Sequence, residues 1–352
     1  MIREKLKKFL FEEEKSNLSF KERFLRFIKS PKEVITFIIP LILIICFLIP
    51  MPYYITTGGG TINLNDKVLI EDSYDISGSF NSAYVSQTKA NLFTYLLSFV
   101  IPSYEREKVS DVVYDGDTIK EYNFRERLLF LESINSALKV SFDELGLSIT
   151  ETSNKLIVTY ILNKDNTMLN VADEILEVNN VKVSSLSDIE AILKNNSALS
   201  SISIKVLRDG KEVNTTSNLT VINGDKKIGI TITNSKKYTT EKEVDFKFGT
   251  KEEGPSGGLM IALSIYNKLS EEDLTKGKKI VGTGTISSDG LVGEIGGVKY
   301  KLMGAVSSKA DIFIVPASNY EEALALKNEN NYNIKLISVD TFSDAIEKLK
   351  VI

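Results

Sequence analysis

The sequence predicts a mixed α/β protein in three parts: one N-terminal apolar helix, a small β domain in the middle and an α/β domain at the C-terminus. Three observations carry this. No residue is charged from Val34 to Ile55. The middle of the chain has short alternating runs separated by Asn-Asn and Asp-Gly turns. The last third alternates strand-like and helix-like periods.

Each part follows in order. Ten Lys/Arg lie in residues 1–33, whereas Pro52 to Ser82 holds only Lys67. An apolar run with that flanking asymmetry predicts a transmembrane anchor over 34–55, N-terminus cytoplasmic and the remainder outside. Tyr53 and Tyr54 would mark the far interface, and the acidic triplet Glu12–Glu14 reads as a solvated helix face. Thr56-Thr-Gly-Gly-Gly-Thr reads as a flexible lead-in, and Asn91–Val100 as a short helix stopped near Pro102. A longer helix is predicted over 121–145 with Phe124, Leu128, Leu131, Leu138 and Phe142 on one face. Strands then follow at Lys155–Ile161 and Val171–Val183, an amphipathic helix at Leu186–Leu193, and a hairpin around Asp209-Gly210. From about 226, strands at Ile228–Thr233 and Val244–Gly249 precede a helix over 257–269 and a strand at Lys279–Ile286. A glycine-rich loop at 290–297, a helix over 298–308, a strand at Ile312–Pro316, a helix near 319–328, a strand at 334–339 and a helix over 342–350 complete the chain. Thr341 or Ser343 would cap the last helix.

Composition restricts the chemistry. Hydrophobic content of 43% and charged content of 26% belong to a folded chain. A net charge of −4 argues against a nucleic-acid partner. Cys46 is the only cysteine, so an intrachain disulfide is excluded, and with no histidine a zinc site is not expected. Neither a metal nor a cofactor is called for.

The absence of histidine bears on Gly254-Pro-Ser-Gly-Gly258. A serine among small residues at a helix start is placed to act as a nucleophile: glycines admit a substrate carbonyl, and free N–H groups favour an oxyanion. The segment also matches Gly-x-Ser-x-Gly, the nucleophile elbow of a Ser-His-Asp hydrolase, but that reading needs a histidine. Ser256 therefore needs another base. Lys301 lies 45 positions on, in Gly-Gly-Val-Lys-Tyr-Lys at 296–301. A lysine acts as a base near neutrality only if its pKa falls by roughly 3 units, about 4 kcal/mol, which burial can supply. Lys299, two positions earlier on the same helix, should point elsewhere.

Taken together, these motifs resemble the Lon family of Ser-Lys peptidases. Its Asp-Gly-Pro-Ser-Ala-Gly motif matches Glu253–Gly258, and the second lysine of its Gly-Gly-Leu-Lys-Glu-Lys matches Lys301. Its Thr-Gly-Glu-Ile strand matches Thr283–Ile286, and its glycine loop matches Gly290–Gly297. The resemblance implies Ser256 as nucleophile, Lys301 as base and Thr283 as the threonine contacting that lysine. Glu253, Gly257 and Thr285 depart from the motifs. Ala172-Asp-Glu-Ile-Leu-Glu-Val-Asn-Asn180 is similar to the Gly-Asp-x-Ile-x-x-Val-Asn-Gly phrase of PDZ domains, with both glycines replaced. The implied organisation is a cytoplasmic segment (1–33), the anchor (34–55), a membrane-proximal region (56–125), a PDZ-like domain (126–222) and a Lon-like domain (226–352). No Gly-x-x-x-x-Gly-Lys-Ser/Thr loop is present. The order is similar to membrane-anchored, ATP-independent PDZ–Lon peptidases of Gram-positive bacteria. It implies cleavage of peptides or flexible proteins at the outer face of the membrane and leaves a homo-oligomer open.

Two other readings compete. Ser86-Gln-Thr-Lys89 fits the Ser-x-x-Lys of penicillin-recognising enzymes but lacks the Lys-Thr-Gly partner. A catalytically inactive surface adaptor that binds extended peptides through the PDZ-like segment is the alternative of a different class.

Overall fold

The computed structural model describes residues 31–195, 198–250 and 252–352. The basic segment expected over 1–33 lies outside the described residues up to residue 30, as does the acidic triplet. Two compact units emerge: residues up to Ile55 with Lys89–Arg106, and Thr56–Thr88 with Glu107–Ile352.

The chain begins with α1 (Pro31–Leu48), β1 (Pro50–Asn63), β2 (Val68–Ile70), β3 (Ser79–Asn91), α2 (Leu92–Leu97), β4 (Glu105–Lys108), α3 (Val109–Val112) and a long helix, α4 (Ile119–Glu144). In the first unit α1 is apolar over its last three turns and includes Pro40. The expected anchor over 34–55 is cut short. The helix ends at Leu48, Pro50 cannot continue it, and Ile49 C=O accepts from Leu92 N–H at 2.9 Å. Residues 50–55 are the start of β1 instead. Among the described residues no helix is long and apolar enough to cross a membrane. Asn91 begins α2 with a capping box closed by Thr94.

The middle of the chain contributes β5 (Ile149–Ile161), β6 (Glu174–Val178), β7 (Val181–Lys182), α5 (Leu186–Asn195), β8 (Ser201–Arg208), β9 (Lys211–Asn218), β10 (Thr220–Ile222), β11 (Asp225–Lys227) and β12 (Ile230–Thr240). One antiparallel sheet runs β12-β5-β6-β8-β9 around a core of Leu156, Val158, Ile175, Val178, Ile204 and Val206. Its turns follow the sequence: Asn179 and Asn180 have φ of 48° and 62°, and Asp209 and Gly210 have 50° and 76°. Asp173 is 1% exposed, accepts from Arg208 Nε and Nη2 at 2.7 Å each and from Asn170 N at 2.8 Å, and so ties the loop to β8.

The remainder is β13 (Val244–Phe246), α6 (Gly258–Leu269), β14 (Lys279–Gly282), β15 (Thr285–Ile286), β16 (Val292–Gly293), α7 (Val298–Ser307), β17 (Ile312–Pro316), α8 (Ala317–Glu329), β18 (Lys335–Val339) and α9 (Phe342–Lys350), capped by Thr341. The main sheet has the order β18-β17-β14-β3-β1-β4. Pairs β18/β17, β17/β14 and β14/β3 are parallel, with α7 and α8 as crossovers. One core holds Phe80, Leu259, Leu263, Ile280 and Phe342, and a second holds Val281, Leu302, Phe313 and Val315.

Three boundaries differ from the sequence reading. Residues 79–82, expected in a membrane-proximal region of 56–125, pair with 279–282 in the middle of the main sheet. Helix α4, assigned from 126 to the PDZ-like domain, packs on α6 through Phe130, Ile134, Leu138 and Phe142, and Ser141 Oγ donates to Ala262 C=O at 2.9 Å. Leu131, expected on the apolar face, is 42% exposed because the buried stripe runs through 130, 134, 137, 138, 141 and 142. Strand β12, expected to open the C-terminal domain, pairs with β5 over its whole length from Ile230↔Ile161 to Thr240↔Ile149. Alternation alone assigns a strand but not its sheet.

Candidate active site

The loop before Ser256 is held by α4. Gly254 N–H donates to Glu126 C=O at 3.2 Å, and Arg127 Nη1 donates to Glu252 C=O at 2.8 Å. Gly254 has φ 79° and ψ 150°, a region open essentially to glycine alone. Pro255 then opens a single 3-10 turn, Pro255–Gly257, and α6 follows with every residue buried. Ser256 is half-buried at this junction. Its carbonyl is doubly held, by Thr283 Oγ1 at 3.0 Å and Gly284 N at 2.8 Å. Thr283, fully buried and expected to face the lysine, thus also fixes the backbone of the serine. Two downstream amides are occupied: Gly258 N–H bonds Pro255 C=O, and Leu259 N–H bonds Gly284 C=O at 3.1 Å.

Lys301 lies in the first turn of α7, which starts from Gly297 in the left-handed region at φ 70°. It is 3% exposed between Tyr300 and Leu302. Desolvation pushes its pKa down to about 8, and no neighbouring charge among the described residues offsets that. Lys299 is exposed, as its position on the helix predicts. A second buried lysine, Lys268, is also shifted down by desolvation, but its Nζ donates to Asn65 C=O at 3.0 Å at the far end of α6 from the serine. Near the serine turn, burial raises the pKa of Glu126 and of Glu253.

Strand β3 connects the two candidates. A Cβ on Gly257 would lie 2.8 Å from Ser82 Oγ, and one on Gly297 would lie 3.0 Å from Val85 Cγ1. Ser82 and Val85 are three residues apart on one strand, about 10 Å. The serine turn and the start of the lysine helix therefore each meet β3, at side chains that alternate to opposite faces of the sheet, in keeping with the separate cores in which α6 and α7 are packed. Ser82 also accounts for glycine at 257, where the family motif has alanine. Glycines 58–60, read as a flexible lead-in, belong to β1 instead. A Cβ on Gly304 of α7 would come within 3.2 Å of Gly60 C=O, so the helix crosses the strand backbone to backbone. Ser82, Gly60, Glu126 and Arg127 were not singled out in the sequence, because each lies more than 100 residues from its contact in this site.

The remaining sequence candidates separate. Ser86 and Lys89 lie on β3, where residues three apart face opposite sides, so they form no common site. Among the described residues no group of three or more His, Cys, Asp or Glu is arranged to hold a metal.

Fold and site together define a small antiparallel domain joined to an α/β domain with a buried lysine and a glycine-turn serine. Residues 212–351 match the Lon protease (S16) C-terminal proteolytic domain, and residues 144–219 match a PDZ domain. The chain carries both. It is 35% identical over 99 residues to a Lon protease of Campylobacter jejuni, covering 28% of this chain and 12% of the relative. It is 32% identical over 108 residues to Lon protease 2 of Bacillus subtilis, covering 31% of this chain and 18% of the relative. The chain thus spans less than a fifth of these relatives' lengths. The crystal structure of the PDZ domain of an SdrC-like protein from Listeria monocytogenes aligns at 22% identity with a TM-score of 0.21, covering 23% of this chain and 90% of that one.

Proposed function

We propose that the chain is an ATP-independent, membrane-attached serine endopeptidase in which Ser256 and Lys301 form the catalytic dyad. The observation that carries this is Lys301: a lysine 3% exposed, with no compensating acid among the described residues and with its pKa pushed down to about 8, has a structural cost and a chemical use. Neutral Lys301 Nζ takes the proton as Ser256 Oγ attacks the scissile carbonyl. It gives that proton to the leaving amine, then takes one from the water that cleaves the acyl-enzyme. Because the Gly258 and Leu259 amides are occupied, we assign the oxyanion to the N–H groups of Ser256 and Gly257. Thr283 supports the serine through its bond to the Ser256 carbonyl; a contact with Lys301 is what the resemblance to the Lon family implies.

Substrates are peptides or proteins, in keeping with a protease domain and a PDZ domain on one chain, and on an ATP-independent reading they are short or flexible. Extended chains add to an edge of the PDZ sheet. Strand β12 already lines β5, so β12 and β9 are the outer strands. At Lys236, Asn135 Nδ2 and Glu132 Oε2 already bond the backbone C=O and N–H of β12, which confines addition along that strand to either side of this point. The exposed apolar surface of α1 supports attachment to a bilayer, and the excess of Lys/Arg in residues 1–33 over 52–82 supports placing the catalytic domain at its outer face.

The test is hydrolysis of fluorescent casein and peptide mixtures by the full chain in detergent or vesicles, because a cut at residue 56 would split β1. The expected result is loss of activity in both Ser256→Ala and Lys301→Ala, and a parent kcat/KM that rises with pH through about 8 as Lys301 loses its proton. Unchanged activity in both variants would defeat the mechanism, and peptide binding without cleavage by the parent would favour the adaptor.

A further inference from the structure

The segment after β3 partitions its side chains the wrong way for water. No charged residue occurs between Lys89 and Glu105. In this stretch the exposed side chains are apolar, Leu96 at 52%, Phe99 at 62% and Val100 at 77%, while the polar Ser98 is 8% exposed. The segment is held to α1. Phe93 packs on Phe47 with ring centroids 4.5 Å apart, and Leu92 N–H bonds Ile49 C=O at 2.9 Å. Tyr95 stands between Tyr53 at 4.9 Å and Phe99 at 5.3 Å. Arg106 lays its guanidinium 3.9 Å over the Phe99 ring and donates to Ser98 Oγ at 3.1 Å.

Resting on the membrane attachment proposed above, we propose that Leu92–Ile101 is a second lipid-contacting element, a wedge in the interfacial layer of the same bilayer that receives α1. Tyrosines beside a cation whose guanidinium stacks on an aromatic ring are the chemistry of a headgroup boundary. Lipid is favoured over a second copy of the chain by α1, to which the wedge is joined. A protein partner covers one face of a helix, whereas Ile35, Ile39, Leu41, Ile42, Ile44 and Leu48 are each more than half exposed and lie around the circumference of α1.

The chain contains no tryptophan, so single Phe99→Trp and Leu41→Trp variants of the full chain report on the two elements separately. Each is reconstituted in phosphatidylcholine/phosphatidylglycerol vesicles with or without brominated acyl chains. The expected result is blue-shifted emission from both, quenched at least about twofold by bromine, with shallow bromine more effective for Phe99→Trp and deep bromine for Leu41→Trp. Bromolipid quenching of Leu41→Trp with water-like, iodide-accessible emission from Phe99→Trp would overturn the wedge alone. Blue-shifted, concentration-dependent Phe99→Trp emission untouched by bromolipid would assign the face to a second copy and also overturn it. Absence of bromolipid quenching at both positions would overturn the membrane reading itself.

Discussion

Replacing Lys301 with methionine should abolish activity and make the protein more stable. The Lys301 side chain is buried, and the gap between its ordinary 10.5 and about 8 corresponds to a cost of about 3 kcal/mol. Methionine keeps the length and removes the charge, so Lys301→Met should gain about 2–3 kcal/mol at pH 7. The pH dependence follows from proton counts. Below about 8 the lysine is protonated both folded and unfolded, and the cost is present in full. Between about 8 and 10.5 the unfolded chain holds a proton that the folded one has released, so parent stability rises with pH; above 10.5 both are neutral and the cost is gone. Urea unfolding followed by far-ultraviolet circular dichroism should therefore show a gap between variant and parent that is largest at pH 7 and closes toward pH 10.5. A variant less stable than the parent at pH 7, or a gap independent of pH, would refute the view of Lys301 as a desolvated, unpaired base.

Three further outcomes are expected. Gly257→Ala should press on Ser82 Oγ and lower kcat/KM about tenfold; adding Ser82→Ala, which leaves only a Cβ at 3.7 Å, should restore it, as peptide hydrolysis by the double variant will show. Thr283→Val should remove the 3.0 Å bond to the Ser256 carbonyl, costing about 1 kcal/mol of stability and lowering kcat more than it changes KM in steady-state assays. Ala172→Gly should stabilise the protein by about 1 kcal/mol in urea unfolding, because Ala172 sits at φ 79°.

That last position explains how much of the fold was legible. The PDZ phrase kept its buried Asp173 and Ile175 and lost both glycines, yet Ala172 and Asn180 retain the left-handed backbone. Local signals such as the Asn-Asn and Asp-Gly turns, the Thr341 cap and the helix bounds after 257 read directly, because capping and turn chemistry act over a few residues. Ser256 and Lys301 were legible because their neighbours are unusual residue types: consecutive glycines and a lysine in an apolar run. Partners distant in sequence were not. Nothing in the sequence of 79–82 shows that it pairs with 279–282, and the alternation in β12 cannot tell one sheet from another. The glycines at 58–60 were read as slack because what crowds them, Tyr84 of β3 against Gly59 and Gly60 and Gly304 of α7 against Gly60, lies on other elements.

The pairing of β3 with β14 also orders events in time. Ser79 and Lys279 are 200 residues apart. At about 5–20 residues per second of synthesis, β3 waits roughly 10–40 s for its neighbour. The PDZ domain, which lies between them in sequence, is complete before the main sheet can close. Ser256 leaves the ribosome before Thr283 and Lys301, so during synthesis the proposed nucleophile exists without either its proposed support or its proposed base. A chain arrested before the last sixth of its length therefore carries Ser256 but no assembled site, and on the dyad proposed above the discontinuity of the sheet would delay activity until Lys301 has emerged.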